Sequence, residues 1–359
     1  MIPPSTMEEK LISQKKPAYP INQSLYDYLT EYSRNSKIPL FYEDLLRFSG
    51  SVIVHDKNGT DTLWVRVYYP EHERDEIDLR LKQMYMILHG DGSEDSLPFL
   101  TIDAIDYCTF GNSKPFRIKI RNILNDNHTH LYVKKADASR VYGLELEHIL
   151  SPNNINFLIY KDTLIEEHVL GIPGDVFLSQ DLEQVTEMGK KRLSKEFVKF
   201  NERCMIRLLG DMRSYNYVIV ASYDFDSVDY RIRAMDFDQQ CFEGNLKVYR
   251  PQFFKENFPF VKMVSEHLQA ASVEQYKKEE RAAIARRIKG AHDRVDALLD
   301  CMCADTISTP EKTAQLRQAL IRYTNDKKFK SCKSMGDLLR VAFDFVVRNY
   351  ENVNMYIIH

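Results

Sequence analysis

The chain has 359 residues, 44% of them apolar and 28% charged, with a net charge of -3. This length exceeds one average domain and can bury a large core, while the near-neutral balance gives no general drive toward nucleic acid or an acidic membrane surface. The six cysteines (Cys108, Cys204, Cys241, Cys301, Cys303, Cys332) show no C-x-x-C pair or regular spacing, as expected of thiols in a reducing compartment. No stretch approaches the ~20 apolar residues of a membrane span, and the first ten residues lack a signal-peptide core, so the expected location is cytoplasmic.

Residues 1–22 are polar and carry Pro3, Pro4, Pro17 and Pro20, which reads as a flexible arm. From Gln23 the residues Leu25, Tyr28, Leu29 and Tyr32 recur at helical spacing, and Phe41, Leu45, Leu46 and Phe48 suggest a second short helix. Apolar runs at 51–55 and 62–69 flank Lys57-Asn58-Gly59, a hairpin signal because Asn-Gly accepts the positive φ angles of a tight turn. A charged helix from about Glu73 to Leu88 follows, and these pieces make an α+β leader over 23–96. Strands are next expected at 99–110, 116–124 and 129–135, then a helix at 138–150 and strands at 155–160 and 163–169, five strands in one antiparallel sheet. Gly171-Ile-Pro-Gly174 breaks that pattern. The rest is mainly helical, interrupted by a hairpin around the acidic tip Asp224–Asp229, which lacks the Gly and Glu of a calcium loop and reads as a solvated turn. Basic clusters at Arg286-Arg287 and Lys327-Lys328 alternate with acids and read as solvated helix faces, so nucleic acid is not an expected partner.

The stretch from Leu208 to Phe242 carries the chemistry. Asp211 and Asn216 lie five residues apart, and Asp236 follows after 20 more, at the end of an apolar run. In phosphoryl transfer a carboxylate orients the attacking hydroxyl, and two oxygen ligands hold magnesium against the nucleotide phosphates. Asp211 suits the first task; Asn216 and Asp236 suit the second, with Asp238 as a further ligand. Arg213 places a cation where it would neutralise charge on the transferred group. The string Asp211-Met-Arg213-Ser-Tyr-Asn216, followed by Asp236-Phe-Asp238, resembles D-x-[K/H/R]-x-x-N and D-F-[G/D] of protein kinases, aminoglycoside phosphotransferases, choline kinases and HipA-type kinases. It departs from the small-molecule branch in Leu209 and Arg213, which replace two histidines, and from protein kinases in Asp238, which replaces glycine.

That resemblance implies a bilobal protein-kinase-like fold of class α+β. It would comprise a five-stranded antiparallel N-lobe at 97–170, a mainly helical C-lobe at 171–359 and the α+β leader as an N-terminal extension. It implies ATP and magnesium as cofactors and a hydroxyl acceptor that is either a protein or a small molecule. By the same resemblance, Gly111, Asn112 and Ser113 would cover the phosphates, and Lys134 or Lys135 would bind them. Only one of these lysines can face a given side of the strand. Glu145, on a face with Val141 and Ile149, would pair with that lysine, with Glu147 as the alternative. The string from Glu166 to Asp175 resembles an interlobe hinge in which the backbone of Glu167 and Val169 would bond the adenine edge. A pseudokinase acting as a nucleotide-binding or scaffold module is the alternative reading.

Overall fold

The computed structural model describes residues 16–56, 59–90, 94–110, 113–225 and 227–351. The described residues divide into two compact units, one within 18–148 and 152–169, the other of residues 16–17, 149–151 and those within 170–351. The class is α+β, with a large antiparallel sheet and many helices. Among the described residues no helix is long and apolar enough to cross a membrane, and no cysteine forms a disulfide.

The first unit runs α1 (Gln23–Glu31), α2 (Tyr42–Leu45), β1 (Gly50–His55), β2 (Asp61–Tyr68), α3 (Glu71–His89), β3 (Leu100–Cys108), β4 (Phe116–Asn122), β5 (Asn127–Lys135), α4 (Ala138–Leu150), β6 (Phe157–Tyr160) and β7 (Thr163–Glu167). The sheet has seven strands in the order β1-β2-β3-β4-β5-β7-β6, which corrects the expected five. The five expected strands lie side by side within it, and the leader hairpin extends them through Trp64↔Cys108, Val65↔Tyr107 and Arg66↔Asp106. The physical reason is edge satisfaction: β3 would otherwise leave a row of backbone donors and acceptors unpaired.

Alternation along the strands, interrupted in β3 by a register shift between Ile102 and Ala104, sorts the two faces of this sheet. Phe116, Ile118 and Ile120 of β4 join Ile105, Leu131, Val133 and Ile165 on the face that packs with Ile77, Leu81 and Met84 of α3. On the opposite face, residues paired across successive strands form a polar row: Arg66, Asp106, Arg117, Tyr132 and Glu166. Arg66 Nε and Arg117 Nη2 share the Asp106 carboxylate at 2.9 and 3.0 Å, and the Arg117 guanidinium lies 4.4 Å from the Trp64 ring. One face is thus a dry core and the other a charge ladder.

The second unit has a small sheet, β10-β9-β8, and a helical body. In chain order it contains β8 (Ile172–Pro173), α5 (Gly174–Val176), α6 (Glu187–Arg207), β9 (Tyr217–Asp224), β10 (Ser227–Ala234), α7 (Phe258–His267), α8 (Ala270–Gly290), α9 (His292–Ala304), α10 (Pro310–Thr324) and α11 (Met335–Asn349). Helix α6 starts at a Thr186 cap that accepts from Gly189 N–H and packs on α8 through two crossed, buried ion pairs. Arg203 lies 3.2 Å from Glu280, and Arg281 lies 2.6 Å from Glu202. Breaking either would strand a buried charge, so these pairs fix the register of α6, the helix that delivers the candidate site.

Gly336 opens α11 against the backbone of α9, where a Cβ would sit 2.2 Å from the Met302 carbonyl carbon and 2.3 Å from Cys303 N. Backbone cannot yield as a flexible side chain can. Gly336→Ala is expected to cost about 1–3 kcal/mol or more in chemical denaturation. Gly290→Ala, with nothing within 4 Å of the new methyl, should be neutral or mildly stabilising. Equal midpoints for the two variants would contradict the close approach.

Candidate functional site

The site is built from the end of α6. Leu208 turns into the left-handed region at φ 52° and ends the helix, and Leu209 N–H still reaches back to Cys204 O. Gly210 follows, donating to Gln239 O at 3.2 Å. A Cβ at Gly210 would meet Val248 Cγ1 at 2.8 Å and Gln239 O at 3.1 Å, so the close approach of this backbone requires glycine. Asp211 is also left-handed, at φ 59°, and its N–H donates to Val248 O. Aspartate is among the few residues that tolerate this region, at a cost that surrounding bonds must offset.

Those bonds come from a short loop cinched on itself. Arg213 N–H donates to Asp211 O at 2.8 Å, Asn216 N–H to Arg213 O at 2.9 Å and Asn216 Nδ2 to Asp211 O at 2.7 Å. Asn257, fully buried, donates to Met212 O and Pro251 O and accepts from Tyr217 O–H at 2.7 Å. Sequence reading missed Asn257, because its partners lie 40 or more residues away in two of these three bonds.

The β9/β10 hairpin then closes the long gap between Asn216 and Asp236. Its register pairs Tyr217 with Ala234, so the residues just outside the ladder are brought together. Met235 N–H donates to Asn216 O at 3.0 Å, and Asp236 N–H approaches the same oxygen at 3.4 Å. Asp238 lies two residues on, and its N–H donates to Asp236 Oδ1 at 3.0 Å. Asp211, Arg213, Asn216 and Asp236 therefore belong to one local constellation.

Arg213 binds two carboxylates, Asp211 Oδ1 through Nε at 2.9 Å and Glu256 Oε1 through Nη1 at 2.7 Å, and its guanidinium lies 5.0 Å from the Phe254 ring. Glu256 carries no sequence signal, since only tertiary folding brings it here. Burial pushes the Asp211 carboxyl up to about 6; Arg213 opposes that rise, and the negative charges of Asp236 and Glu256 reinforce it. A carboxylate poised this way, beside a cation, has the properties of a proton acceptor near neutral pH.

Asn216, Asp236 and Asp238 offer only oxygen donors once the Asn216 amide nitrogen is spent on Asp211, and such a set suits a hard cation such as magnesium. Among the described residues no three His, Cys, Asp or Glu groups are gathered for a metal, so a cation here would rest on an amide with carboxylates.

The first unit places its candidates differently from expectation. Lys134 Nζ lies 2.7 Å from Glu166 Oε2, not against the expected Glu145, and Arg140 grips the same carboxylate with Nη2 at 2.8 Å and with Nε. The register explains this: Lys134 pairs with Leu164 across β5 and β7, which makes Glu166 its diagonal neighbour on the same face. Glu145 instead accepts from Tyr28 O–H at 2.7 Å and lies 3.4 Å from Arg34 Nε, because its face of α4 meets α1. Glu147 accepts from Asn153 at 3.4 Å. Lys135 points to the other side of β5, exposed, 3.8 Å from Glu43. Glu167 is tied to Asn156: its N–H donates to Asn156 O, and its carboxylate accepts from Asn156 N–H and Nδ2. Val169 is buried. Ser113 lies in a bend before β4, while Gly111 and Asn112 lie outside the described residues.

No family model matches the chain, and no curated protein does. Among solved structures, the PAN3 pseudokinase of Neurospora crassa shows a loose likeness, with 12% identity over 80% of this chain and 72% of that chain and a TM-score of 0.20. An overlap that loose carries neither fold nor function.

Burial alone would raise the Glu166 carboxyl, but Arg140 and Lys134 outweigh it and hold it at about 2, against an ordinary 4.5. Folding thus favours the ionised form: the contribution is present in full above about pH 4.5 and is lost as pH falls toward 2. Glu166→Gln should cost about 3–5 kcal/mol at pH 7, since it leaves two buried cations short of their counter-charge. It should also flatten the stability profile in that acid window. Urea melts at several pH values that give parallel profiles for the two proteins would contradict the assignment.

Proposed function

We propose that this chain is an ATP- and magnesium-dependent phosphotransferase that moves the γ-phosphoryl group to a hydroxyl of a protein or small molecule. The observation that carries this reading is the gathering of Asp211, Arg213, Asn216 and Asp236 at the base of the β9/β10 hairpin, with Asp211 raised toward neutrality. On this reading residues 97–170 would form the N-lobe of a protein-kinase-like fold, residues 23–96 its N-terminal extension and residues 171–359 the C-lobe, in a cytoplasmic protein.

Asp211 would orient the acceptor hydroxyl and take its proton as the new O–P bond forms and the bond to the leaving diphosphate breaks. Arg213, held by Glu256 as well as Asp211, would balance negative charge on the transferred group. Asn216 and Asp236, with Asp238, would hold the magnesium ion. When bound, magnesium-ATP supplies the phosphoryl group; the protein's own contribution is position and electrostatics.

One observation favours the second reading, a pseudokinase. Lys134 is paired with Glu166, and the Glu167 N–H is bonded to Asn156 O, so two groups expected to meet a nucleotide have partners within the first unit. The two readings separate experimentally. With radiolabelled ATP, magnesium and cell extract, the wild-type protein should transfer label, and Asp211→Asn should cut turnover by ~100-fold or more while leaving ATP affinity nearly intact. Asp224→Asn, at the exposed hairpin tip, should do little. ATP binding with no label transferred and no phosphate released would leave a nucleotide-binding pseudokinase standing, and no ATP binding would remove the phosphotransferase and leave only the scaffold form of the second reading.

The metal assignment has its own test. Asp236→Ala should abolish magnesium-linked nucleotide binding in titration calorimetry while the thermal melt stays cooperative. Unchanged magnesium dependence would remove Asp236 from the ligand set.

A further inference from the structure

The seven-stranded sheet treats its two edges differently. At the β6 edge, residues 34–36 of the same chain cover the strand: Asn35 bridges Ile159 in parallel, Ile159 N–H donates to Arg34 O at 2.8 Å and Ser36 N–H to Ile159 O at 3.2 Å. At the other edge β1 pairs with β2 and, among the described residues, with no further strand. Proteins ordinarily blunt such an edge with lysine, proline, a bulge, a short strand or a covering loop; here the β1–β2 ladder shifts register between Val54 and His55, beyond the central residues Val52 and Ile53. Gly50-Ser-Val-Ile-Val-His55 has no lysine, arginine, acid or proline, and Val52 and Ile53 are 59% and 50% exposed, with Leu63 and Tyr68 also exposed on the neighbouring strand.

We propose that β1 pairs antiparallel with β1 of a second copy of this chain, joining the two sheets across a two-fold axis. The occupant follows from the strand itself. A two-fold axis normal to the sheet keeps each residue on its own face, so residues opposite one another must lie on the same face. Centring the axis on Ile53 meets this rule and sets Ile53 opposite Ile53, with Val52 opposite Val54 on either side. Every central pair is then apolar and β-branched, the pairing that stabilises a sheet best, and no like charges meet. Ile53 lies on the face of Val65, its partner on β2, while Val52 lies on the face of Arg66, so both sides of the new seam gain contacts. The inference is independent of the catalytic reading.

A seam of this length is small, so the dimer is expected to be reversible, with a Kd on the order of 10 µM. Sedimentation equilibrium of the full chain over roughly 1–200 µM should show a shift from the 42.1 kDa chain mass toward twice that value. Ile53→Lys should abolish the shift with an unchanged melt, since the side chain is half exposed, and Phe225→Lys at the exposed hairpin tip should leave it intact. Cysteine substitution tests the register. Residues directly opposite have Cβ atoms about 4.5–5.5 Å apart, near enough to crosslink, so Ile53→Cys should give a reducible dimer under mild oxidation. Val52→Cys, opposite Val54 rather than itself, should crosslink little above the wild-type background. A monomer throughout the concentration range, a dimer that survives Ile53→Lys, or equal crosslinking at 52 and 53 would overturn the proposal.

Discussion

The close passage of backbone at Gly210 is the constraint on which the candidate site depends. Its N–H is bonded to Gln239 O, the next N–H to Val248 O, and a side chain at 210 would strike both neighbours. This contact ties the loop after α6 to the segment after β10. With the Tyr217↔Ala234 register, it fixes where Asp211, Asn216 and Asp236 stand relative to one another. The left-handed φ at Leu208 and Asp211 is the local cost. The buried Asn257 and the crossed ion pairs between α6 and α8 hold the loop against that cost.

Electrostatics divides the two units by role. In the first, Glu166 is clamped by Lys134 and Arg140 and held far below the usual carboxylate range, the mark of a structural ion triad. In the second, Asp211 is displaced the other way although Arg213 touches it, because burial and two neighbouring acids outweigh a single cation already shared with Glu256. A group held ionised at nearly every pH stabilises; one held near neutrality costs stability and gains reactivity. That contrast is why the phosphotransfer reading rests on the second unit.

Much of the fold was legible because period-2 alternation is local. The runs around Phe116–Asn122 and Asn127–Lys135, and the helix Ala138–Leu150, stand within a few residues of where the pattern places them. The spacing of Asp211, Asn216 and Asp236 was legible for a similar reason, since a hairpin between Asn216 and Asp236 needs only sequence to be anticipated. Pairing choices were not. Nothing in residues 61–68 names β3 as their neighbour, and so the sheet grew from five strands to seven. Helical periodicity showed that Val141, Glu145 and Ile149 share a face, but not that this face meets Tyr28 and Arg34 while Arg140 reaches Glu166. Glu256 and Asn257 join the site through contacts 40 or more residues distant, which no local pattern records.

If Asn216 and Asp236 hold a cation that works with a nucleotide, as proposed, that cation can be observed directly. Manganese can replace magnesium as a paramagnetic probe, and proton relaxation of water reports its binding directly. Titrating the protein into manganese-ATP should enhance relaxation and saturate at one site per chain, and an Asn216→Ala, Asp236→Ala double variant that melts like wild type should show no enhancement. Equal enhancement in the two proteins, or none in wild type, would contradict the account.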